Sequence, residues 1–579
     1  MKFRTHDIEK APAQELVGTQ HLVIASNAVH ATHSLCESAR NVRKALRPDG
    51  FLLMLEMTRT PYWVDLIFGL FEGWWLFDDG RRHALTHESR WQTDLQAVGY
   101  GHVDWTDGER PESDIEKLIL AAASPSSRCE RLPNLPTLGY QTKRGASADC
   151  AAREQVVAKY VRDLTDGFGE AIKRDASLSL PSTSPTTNIA QPGPGAKCVL
   201  ITGATGGLGA HLVAEAALRT DVTRVVCLNR RGKQDARERQ EHALRKKGIE
   251  LPLEAMAKVD VLEADLSHAR LGLPDETYCS LLESVTHIVH NAWLMHSKWP
   301  VKRFEPQLRI MAHMLGLARD ISIRGPPGSL VSFEFVSSIA TVGHHPLWTG
   351  KPVVPEERVP IESVLPTGYG DAKYICERML DATLHQYPDR FRAAAVRLGQ
   401  IAGSRINGHW NPREHVSFLI KSSQTLGALP ALPGSMGWTP ADDMAGTLID
   451  IVMQPDEVVL HPIYHVENPI RQPWRDTLTV LADALAMPRD EEVIVPLEHW
   501  VQRVRDWPRS EDNGPQGANP AYLLVDFLAD NFIRMSCGGL LLGTAKAREH
   551  SPTLARLGPV SESLTRLFVS SWQDMGFLA

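Results

Sequence analysis

Residues 199–209 read VLITGATGGLG, so that an apolar strand runs directly into a glycine-rich turn. In such a turn Gly203 permits the tight bend, Gly206 lets the backbone approach a pyrophosphate, and Gly209 allows close packing of helix on strand. The helix that follows points unpaired N–H groups and its positive dipole end at bound phosphates. The segment therefore predicts a dinucleotide site. Its predicted cofactor contacts are Gly203, Thr205, Gly206, Gly207, Leu208 and Gly209.

Short apolar runs separated by helical spacers continue downstream of this turn. The predicted strands are residues 198–202, 224–228, 259–262, 287–290, 333–336 and 393–398. Strands that alternate with helices predict an α/β fold with a doubly wound parallel sheet of the Rossmann type, which binds ligands at the carboxyl ends of its strands. Beyond about residue 400 the pattern becomes irregular. We expect this part to form a smaller C-terminal subdomain that covers the cleft and binds substrate.

The first 125 residues carry a shorter set of α/β signals. Residues 21–26 and 51–57 are apolar runs typical of buried strands, and residues 35–46 predict a helix between them. A further helix and then a Ser-, Thr-, Pro- and Gly-rich flexible linker follow. The predicted domains are a methyltransferase-like region at 1–125, helix and linker at 126–195, the nucleotide-binding domain at 196–455, and the subdomain at 456–579 with parts of 403–440.

Composition limits the classes of function and site that the chain supports. It has 579 residues, a formal net charge of −7 and 43% hydrophobic residues, which argues against nucleic-acid or anionic-membrane partners. The eight cysteines contain no C-x-x-C pair, which predicts reduced thiols in the cytoplasm and no metal site. The most apolar stretch, residues 62–77, is shorter than the roughly 20 residues that a spanning helix needs.

The second strand of the predicted sheet leads into the cationic pair Arg230 and Arg231. A site that prefers NAD usually has a carboxylate about 20 residues beyond the loop, whereas cations there can pair with a 2′-phosphate. The pair therefore favours NADPH; the alternative is a solvated basic turn. Four more predicted contacts follow the third and fourth strands: Asp265, Leu266, Asn291 and Ala292. Taken singly, each of them is more often a turn residue than a contact.

Tyr369 and Lys373 carry the chemical prediction, because side chains four residues apart share one face of a helix. The lysine ammonium can lower the pKa of the phenol and hold the ribose hydroxyls. Tyr369 is then a general acid for the alkoxide that forms on hydride delivery. Ser338, at the end of the preceding strand, is predicted to polarise the substrate carbonyl, with Ser337 as the fallback.

In this order and at strand ends, these residues resemble the extended short-chain dehydrogenase/reductase superfamily. Residues 290–293 (HNAW), 397–403 (RLGQIAG) and 437–443 (GWTPADD) are similar to its thioester reductase, male-sterility-like branch. The resemblance covers about 195–579 and is closest to the release domains of fungal non-reducing polyketide synthases. It implies that NADPH reduces a carrier-protein-bound polyketide thioester to an aldehyde. Ser338 and Tyr369 would stabilise the oxyanion, and Lys373 would orient the cofactor.

The N-terminal region resembles the C-methyltransferase domain of the same synthases at residues 7–9, 26–32 and 51–57. In that family a His–Glu dyad deprotonates the α-carbon of the substrate, and the matches fall on His30 and Glu56. The first strand and the S-adenosylmethionine loop of that fold are missing from this sequence. We therefore expect a truncated domain without methyl transfer, and a polyketide thioester that a synthase supplies in trans.

Other functions remain open at this point. A fatty-acyl-CoA reductase or a free-aldehyde reductase would carry the same Ser, Tyr and Lys. A non-catalytic synthase fragment that serves as a docking protein is a different class, and pairing of residues 1–125 with another chain could rebuild a methyltransferase. Neither the identity of the polyketide nor a second reduction to an alcohol can be read from these positions.

Overall fold

The computed structural model describes residues 6–106, 115–123, 143–177, 196–296, 298–326, 328–488, 492–507 and 519–579. Contacts divide the chain into two compact units, Met1–Ala151 and Ala152–Ala579. The domain limit predicted at residue 125 lies outside the described residues. The predicted flexible linker also lies outside them, except for residue 177.

The first unit is built on a small mixed sheet. Its strands are β1 Gln20–Ser26, β2 Leu46–Met57, β3 His102–Trp105 and β4 Glu116–Ala122, and its helices are α1 Leu35–Ala45, α2 Tyr62–Phe68 and α3 Glu88–Ala97. The strand order is β1-β2-β4-β3, in which β1 runs parallel to β2 and β4 runs antiparallel to both of its neighbours. Residues of α1 and α3 share a buried core with β2 and β4. Both predicted strands and the predicted helix between them are confirmed.

The second unit holds a seven-stranded sheet in which every pairing is parallel. The strands are β5 Lys197–Thr202, β6 Val222–Arg230, β7 Val259–Ala264, β8 His287–His290, β9 Val331–Ser338, β11 Phe391–Leu398 and β16 Ile463–Val466. They lie in the order β16-β11-β9-β8-β5-β6-β7, with the crossover beside β5. All six predicted strands are present, and the predicted parallel sheet is confirmed.

The seventh strand, β16, was not predicted. It lies within the segment that the sequence assigned to the C-terminal subdomain, so the sheet continues beyond the predicted limit at residue 455. The strand has only four residues, IYHV, and all four are buried. It lies in the part of the sequence where the alternation of strands and helices becomes irregular, so the pattern did not indicate it.

Helices of the second unit cover both faces of the sheet. They are α4 Lys143–Thr165, which spans the division between the units, α5 Phe168–Ser177, α6 Gly207–Leu218, α7 Ala236–Lys246, α8 Leu253–Ala257, α9 Asp275–Ser284, α10 Glu305–Arg324, α11 His345–Thr349, α12 Gly368–Ala382, α13 His415–Leu426, α14 Ala441–Val452, α15 Trp474–Ala484, α16 Leu497–Asp506, α17 Val525–Asp530, α18 Phe532–Ser536, α19 Ala545–His550, α20 Pro552–Ala555 and α21 Glu562–Asp574. Residues of α6 and α14 share a core with Val336, whereas α12 approaches Phe335, which alternation along the strand points to the opposite face. Among the described residues, no helix combines the length and apolar character that crossing a bilayer requires.

A separate hydrophobic core forms the smaller C-terminal part. It contains five buried tryptophans: Trp410, Trp438, Trp474, Trp500 and Trp572. Short strands support it: β12 Ile401–Ala402, β13 Leu429–Ala431, β14 Ser435–Met436, β15 Thr439–Pro440, β17 Gln472–Pro473 and β18 Ile494–Pro496. Two more short strands, β10 Val353–Val354 and β19 Leu541–Leu542, pair with each other. Residues 402–438 thus share a core with residues 474–578.

Candidate active site

The glycine-rich turn joins β5 to α6 as predicted. Gly203 has φ +70°, and a Cβ on it would lie 2.9 Å from the Cα of Ala292. A Cβ on Gly209 would lie 2.0 Å from the carbonyl oxygen of Gly203, so only glycine permits this contact between helix and turn. Gly206 caps α6 without any side-chain hydrogen bond. The turn therefore presents uncapped backbone N–H groups at a helix N-terminus that is shaped to receive an anion.

The end of β8 is fastened to this turn by a threonine. Thr202 Oγ1 accepts hydrogen bonds from the backbone N–H groups of Asn291, at 3.1 Å, and Ala292, at 3.0 Å. The Asn291 side-chain amide also lies 3.5 Å from the Gly203 carbonyl oxygen. The predicted contacts Asn291 and Ala292 thus line the same cleft as the glycine turn.

Two residues that the sequence analysis missed brace the turn from α7 and the loop after it. Gln240 Nε2 donates to the carbonyl of Ala204 at 3.2 Å, and Lys247 Nζ donates to the carbonyl of Thr205 at 3.2 Å. Both side chains are buried. Nothing in the local sequence marks them, because their partners lie some forty residues earlier in the chain.

The predicted cationic turn lies at the carboxyl end of β6, and both of its arginines are exposed. Arg231 donates to the carbonyl of Gly272 at 3.3 Å. Arg239 of α7, which was not predicted, donates to the Arg230 carbonyl at 2.8 Å and pairs with Glu263 at 2.5 Å. That ion pair neutralises the Glu263 carboxylate, and the exposed Arg230 and Arg231 side chains add positive charge at this turn.

Asp265 and Leu266 follow β7, as predicted. The Asp265 carboxylate accepts hydrogen bonds from the hydroxyl of Ser267, at 2.6 Å, and from its backbone N–H, at 3.1 Å. These bonds lower the pKa of Asp265, so it is ionised at neutral pH. The Leu266 side chain is buried, and its carbonyl lies 2.8 Å from Nδ1 of His313. Asp265 keeps a partly exposed carboxylate, whereas the Leu266 side chain packs into the protein.

Tyr369 and Ser338 meet at the carboxyl end of β9. Tyr369 lies in the first turn of α12, where Thr367 caps the helix by accepting from the N–H of Gly370 at 3.1 Å. Burial raises the pKa of the phenol to about 12, although its hydrogen bond with the Ser338 hydroxyl acts in the opposite direction. The phenol is therefore protonated at neutral pH, which is the form that a general acid requires.

Lys373 does not lower the pKa of this phenol, so that part of the prediction is wrong. Its Nζ donates to the carbonyl of Val336 at 2.7 Å and lies 4.0 Å and 4.7 Å from the ring centres of Trp293 and Phe335. Burial lowers the pKa of Lys373 itself to about 7. Because its pKa is about 7, the Lys373 ammonium is only partly charged at neutral pH, and it contacts a carbonyl and two rings. It therefore has little effect on the charge of Tyr369.

Aromatic side chains form a wall beside these groups. Trp293 stacks on Phe304, with ring centres 6.2 Å apart, and Phe304 in turn packs edge-on against Tyr369. The indole Nε1 of Trp293 is buried without a hydrogen-bond partner among the described residues. Its position shortly after β8 could have indicated that it lies in the site, because residues at the strand ends of this fold line the ligand-binding cleft.

Ser337, the predicted alternative to Ser338 as the catalytic hydroxyl, forms its hydrogen bond away from Tyr369. Its hydroxyl donates to Glu377 at 2.6 Å, and Arg397 forms a two-pronged ion pair with the same carboxylate at 3.0 Å and 2.7 Å. All three side chains are buried. The geometry thus brings Ser338, and not Ser337, to the phenol of Tyr369.

His30 and Glu56 form a buried pair within the first unit. Nδ1 of His30 lies 2.6 Å from Oε2 of Glu56, and Oε1 of Glu56 accepts from the backbone N–H of Val29 at 2.9 Å. The pair lies beside a cavity of about 840 Å³, whose lining includes Trp63, Phe68 and Trp74. The dyad that the family resemblance implied is therefore assembled in space.

Comparison with known proteins identifies relatives of both units. Residues 201–448 match the model of the male sterility protein family, an NAD-binding family. The whole chain is 64% identical to part of a 3-methylorcinaldehyde synthase of Phoma sp. and 61% identical to part of a non-reducing polyketide synthase of Emericella nidulans. It covers 22% of each, so it spans about a fifth of the length of these relatives.

Solved structures give two further matches. The terminal R domain from the myxalamid biosynthetic pathway is 20% identical, with a TM-score of 0.55, over 71% of this chain and 99% of that domain. The citrinin polyketide synthase CMeT domain is 59% identical over 21% of this chain and 33% of that one, with a TM-score of 0.21. The first match supports the Rossmann-type fold of the second unit.

Proposed function

We propose that the chain releases a polyketide by reduction, since residues 201–448 match the male sterility family and the whole chain is similar to part of two polyketide-type synthases. The substrate is a thioester on an acyl carrier protein, the reductant is NADPH, and the product is an aldehyde. The observation that carries this proposal is the half-buried Ser338–Tyr369 pair at the carboxyl end of β9. It shares the edge of the sheet that also holds the glycine turn.

The residues at the turn suit a dinucleotide. Gly203 and Gly209 leave no room for a Cβ, and the N-terminus of α6 is free of side-chain caps. Arg230 and Arg231 supply positive charge for a 2′-phosphate, which favours NADPH over NADH. The indole N–H of Trp293, which has no hydrogen-bond partner among the described residues, is a further donor for a ligand. When bound, a nicotinamide nucleotide supplies the hydride.

The side chains at the site then have defined tasks. Ser338 donates a hydrogen bond to the thioester carbonyl oxygen, and Tyr369 gives that oxygen its proton as negative charge develops there. The resulting hemithioacetal breaks its C–S bond, and its O–H proton leaves with the thiol. A phenol with a pKa of about 12 keeps its proton until the oxyanion forms. Lys373 holds the end of β9 in place through the Val336 carbonyl.

We choose carrier-bound polyketide as the substrate class because of the names of the proteins to which the chain is similar. One of them is named for an aldehyde product, and both are polyketide synthases or aldehyde synthases matched along the whole chain. Acyl-CoA and free aldehydes are the competing substrates, since the same Ser and Tyr would serve them. A docking protein without catalysis would not need a protonated phenol beside a nucleotide turn.

Product analysis with matched thioesters tests the proposal. The full chain is incubated with NADPH and one acyl group attached to a carrier protein, to coenzyme A or to N-acetylcysteamine. We expect aldehyde by mass spectrometry, with the carrier thioester consumed fastest. Equal rates on all three would contradict carrier specificity. NADPH binding without consumption of any thioester would contradict reductive release and favour a docking role.

A further inference from the structure

We propose that His461, Glu549 and His550 form a binding site for one divalent transition-metal ion, with Zn²⁺ as the ion that the donor set suits best. One nitrogen of each imidazole and one carboxylate oxygen lie within 4.8 Å of one another. The site does not belong to the reductive centre, because His461 precedes the amino end of β16 whereas ligands of this fold bind at carboxyl ends.

A tyrosine sets the geometry of the cluster. The hydroxyl of Tyr464, on β16, accepts from the backbone N–H of His461 at 2.8 Å and lies 2.7 Å from Nδ1 of His550. This contact orients the imidazole and occupies Nδ1, so Nε2 would be the nitrogen that binds an ion, as in metal sites where a second partner holds the other ring nitrogen. The two imidazole ring centres are 5.5 Å apart, with planes at 22°. Two imidazoles on one tetrahedral Zn²⁺, each at a Zn–N distance of about 2.1 Å, would place their ring centres about 5 Å apart.

The donors select the class of ion. Two imidazoles and one carboxylate form the donor set that binds Zn²⁺ in many proteins, with a water in the fourth position. Ca²⁺ and Mg²⁺ prefer sites made of oxygen ligands alone. Glu549 is exposed and His461 is half-buried, so an ion reaches the cluster from solvent. The cysteine spacing gave no hint of this site because its ligands come from two distant segments.

The position of the cluster indicates what the ion would do. After β16 the chain leaves the sheet to build part of the C-terminal core, and it returns through β19 and α19. His461 lies just before the departing strand, and Glu549 with His550 ends the returning helix. A bound ion would link the start and the end of the segment that runs from β16 to α19. It would stabilise the folded state, since an ion that binds only the native form raises the free energy of unfolding.

Metal titration of the full chain tests the proposal. Metal-free wild type, Glu549→Gln and His461→Ala are titrated with ZnCl₂ by calorimetry, and Tm is measured with and without Zn²⁺. His242→Ala, which removes an exposed histidine of α7, is the matched control. We expect one Zn²⁺ per wild-type or control chain and a higher Tm on binding. Both ligand variants should lose the Tm shift, and Tyr464→Phe should bind roughly 10–100-fold more weakly.

A spectroscopic measurement separates this site from adventitious binding. Co²⁺ in place of Zn²⁺ should give the visible absorption of a four-coordinate ion in wild type but not in Glu549→Gln. Equal Zn²⁺ stoichiometry and equal Tm shifts in wild type and both ligand variants would overturn the proposal. Since Glu549 is exposed, circular dichroism of Glu549→Gln should match wild type, which excludes misfolding as the reason for lost binding.

Discussion

Each of the two units contains a close pair of polar side chains, which lies beside a cavity in the first unit and at the end of a strand in the second. The two pairs differ in how fully the polar groups around them are hydrogen-bonded. In the first unit both Glu56 oxygens are occupied, one by His30 and one by the backbone. In the second, the phenol of Tyr369 meets Ser338, while the indole N–H of Trp293 has no partner among the described residues. The first pair is complete within the protein, whereas the second site retains donors for a ligand.

Burial also acts differently in the two places. At the reductive site it raises the pKa of Tyr369 to about 12 and lowers that of Lys373 to about 7, so that both groups favour their neutral forms. An acid that must give up a proton to an oxyanion benefits from this environment. A hydrogen-bonded imidazole and carboxylate, such as His30 and Glu56, instead suit the removal of a proton. The second unit thus holds a protonated phenol beside a hydroxyl, and the first holds an imidazole hydrogen-bonded to a carboxylate.

The largest effect should follow the loss of the phenol. Tyr369→Phe removes the proton donor and should lower kcat for thioester reduction by about 10²–10⁴-fold, the usual contribution of a general acid. Tyr374→Phe is the matched control. It removes a buried hydroxyl from the same helix that bonds the Val359 carbonyl, and it should retain activity. Equal losses in both variants, measured as NADPH oxidation, would show that packing of α12 matters and the proton does not.

Cofactor preference should depend on the exposed arginine at the end of β6. Arg230→Ala removes a charged partner of a 2′-phosphate, an interaction worth about 1.5–3 kcal/mol, and should lower kcat/KM for NADPH roughly 10–100-fold. The value for NADH should change little. Arg245→Ala, an exposed arginine of α7 that pairs weakly with Glu241, serves as the control. A parallel loss with NADH would contradict the assignment of the 2′-phosphate to this turn.

The strands and the glycine turn were predictable because they depend on local sequence. Apolar runs of four to six residues bounded by turns indicated six of the seven parallel strands. The four-residue β16 gave no such pattern. Loop contacts from Gln240 and Lys247, and the wall formed by Phe304, arise only when distant segments meet.

The positions of the candidate catalytic residues were predictable, but their electrostatics were not. The sequence placed Ser338, Tyr369 and Lys373 at one end of the sheet, and the structure brings the first two into contact. The predicted influence of Lys373 on the phenol failed, because a pKa depends on burial and on the direction of the ammonium, which are tertiary properties. The aromatic rings of Trp293 and Phe335 that cover Lys373 could not be placed from spacing alone.

Lys373 should produce a dependence of stability on pH. Its folded-state pKa of about 7 lies below the value of 10.5 for an exposed lysine, so the unfolded chain holds more protons between these values. The free energy of unfolding therefore rises with pH across this window, by about 1.4 kcal/mol per unit at most, and the burial penalty is fully present below pH 7. Lys373→Met should be more stable than wild type at pH 6, with a gap that narrows by pH 9. Urea denaturation at both values measures this gap, and a gap that does not change with pH would contradict the burial of charge.

The smallest effect on reduction should come from the dyad of the first unit. Every side chain that we place in the reductive site lies in the second unit, whereas His30 bonds Glu56 of its own sheet. His30→Ala should therefore leave kcat and KM for thioester reduction unchanged, while it leaves one buried oxygen of Glu56 unsatisfied at a cost of about 1–3 kcal/mol. Hydrogen exchange at the Val29 amide, which donates to Glu56, should report this local loss. His33→Ala, which breaks an exposed pair with Glu9, should change that exchange rate much less. Because the two readouts come from different units, a drop in reduction with His30→Ala alone would mean that the dyad contributes to thioester reduction and that the two pairs do not act independently.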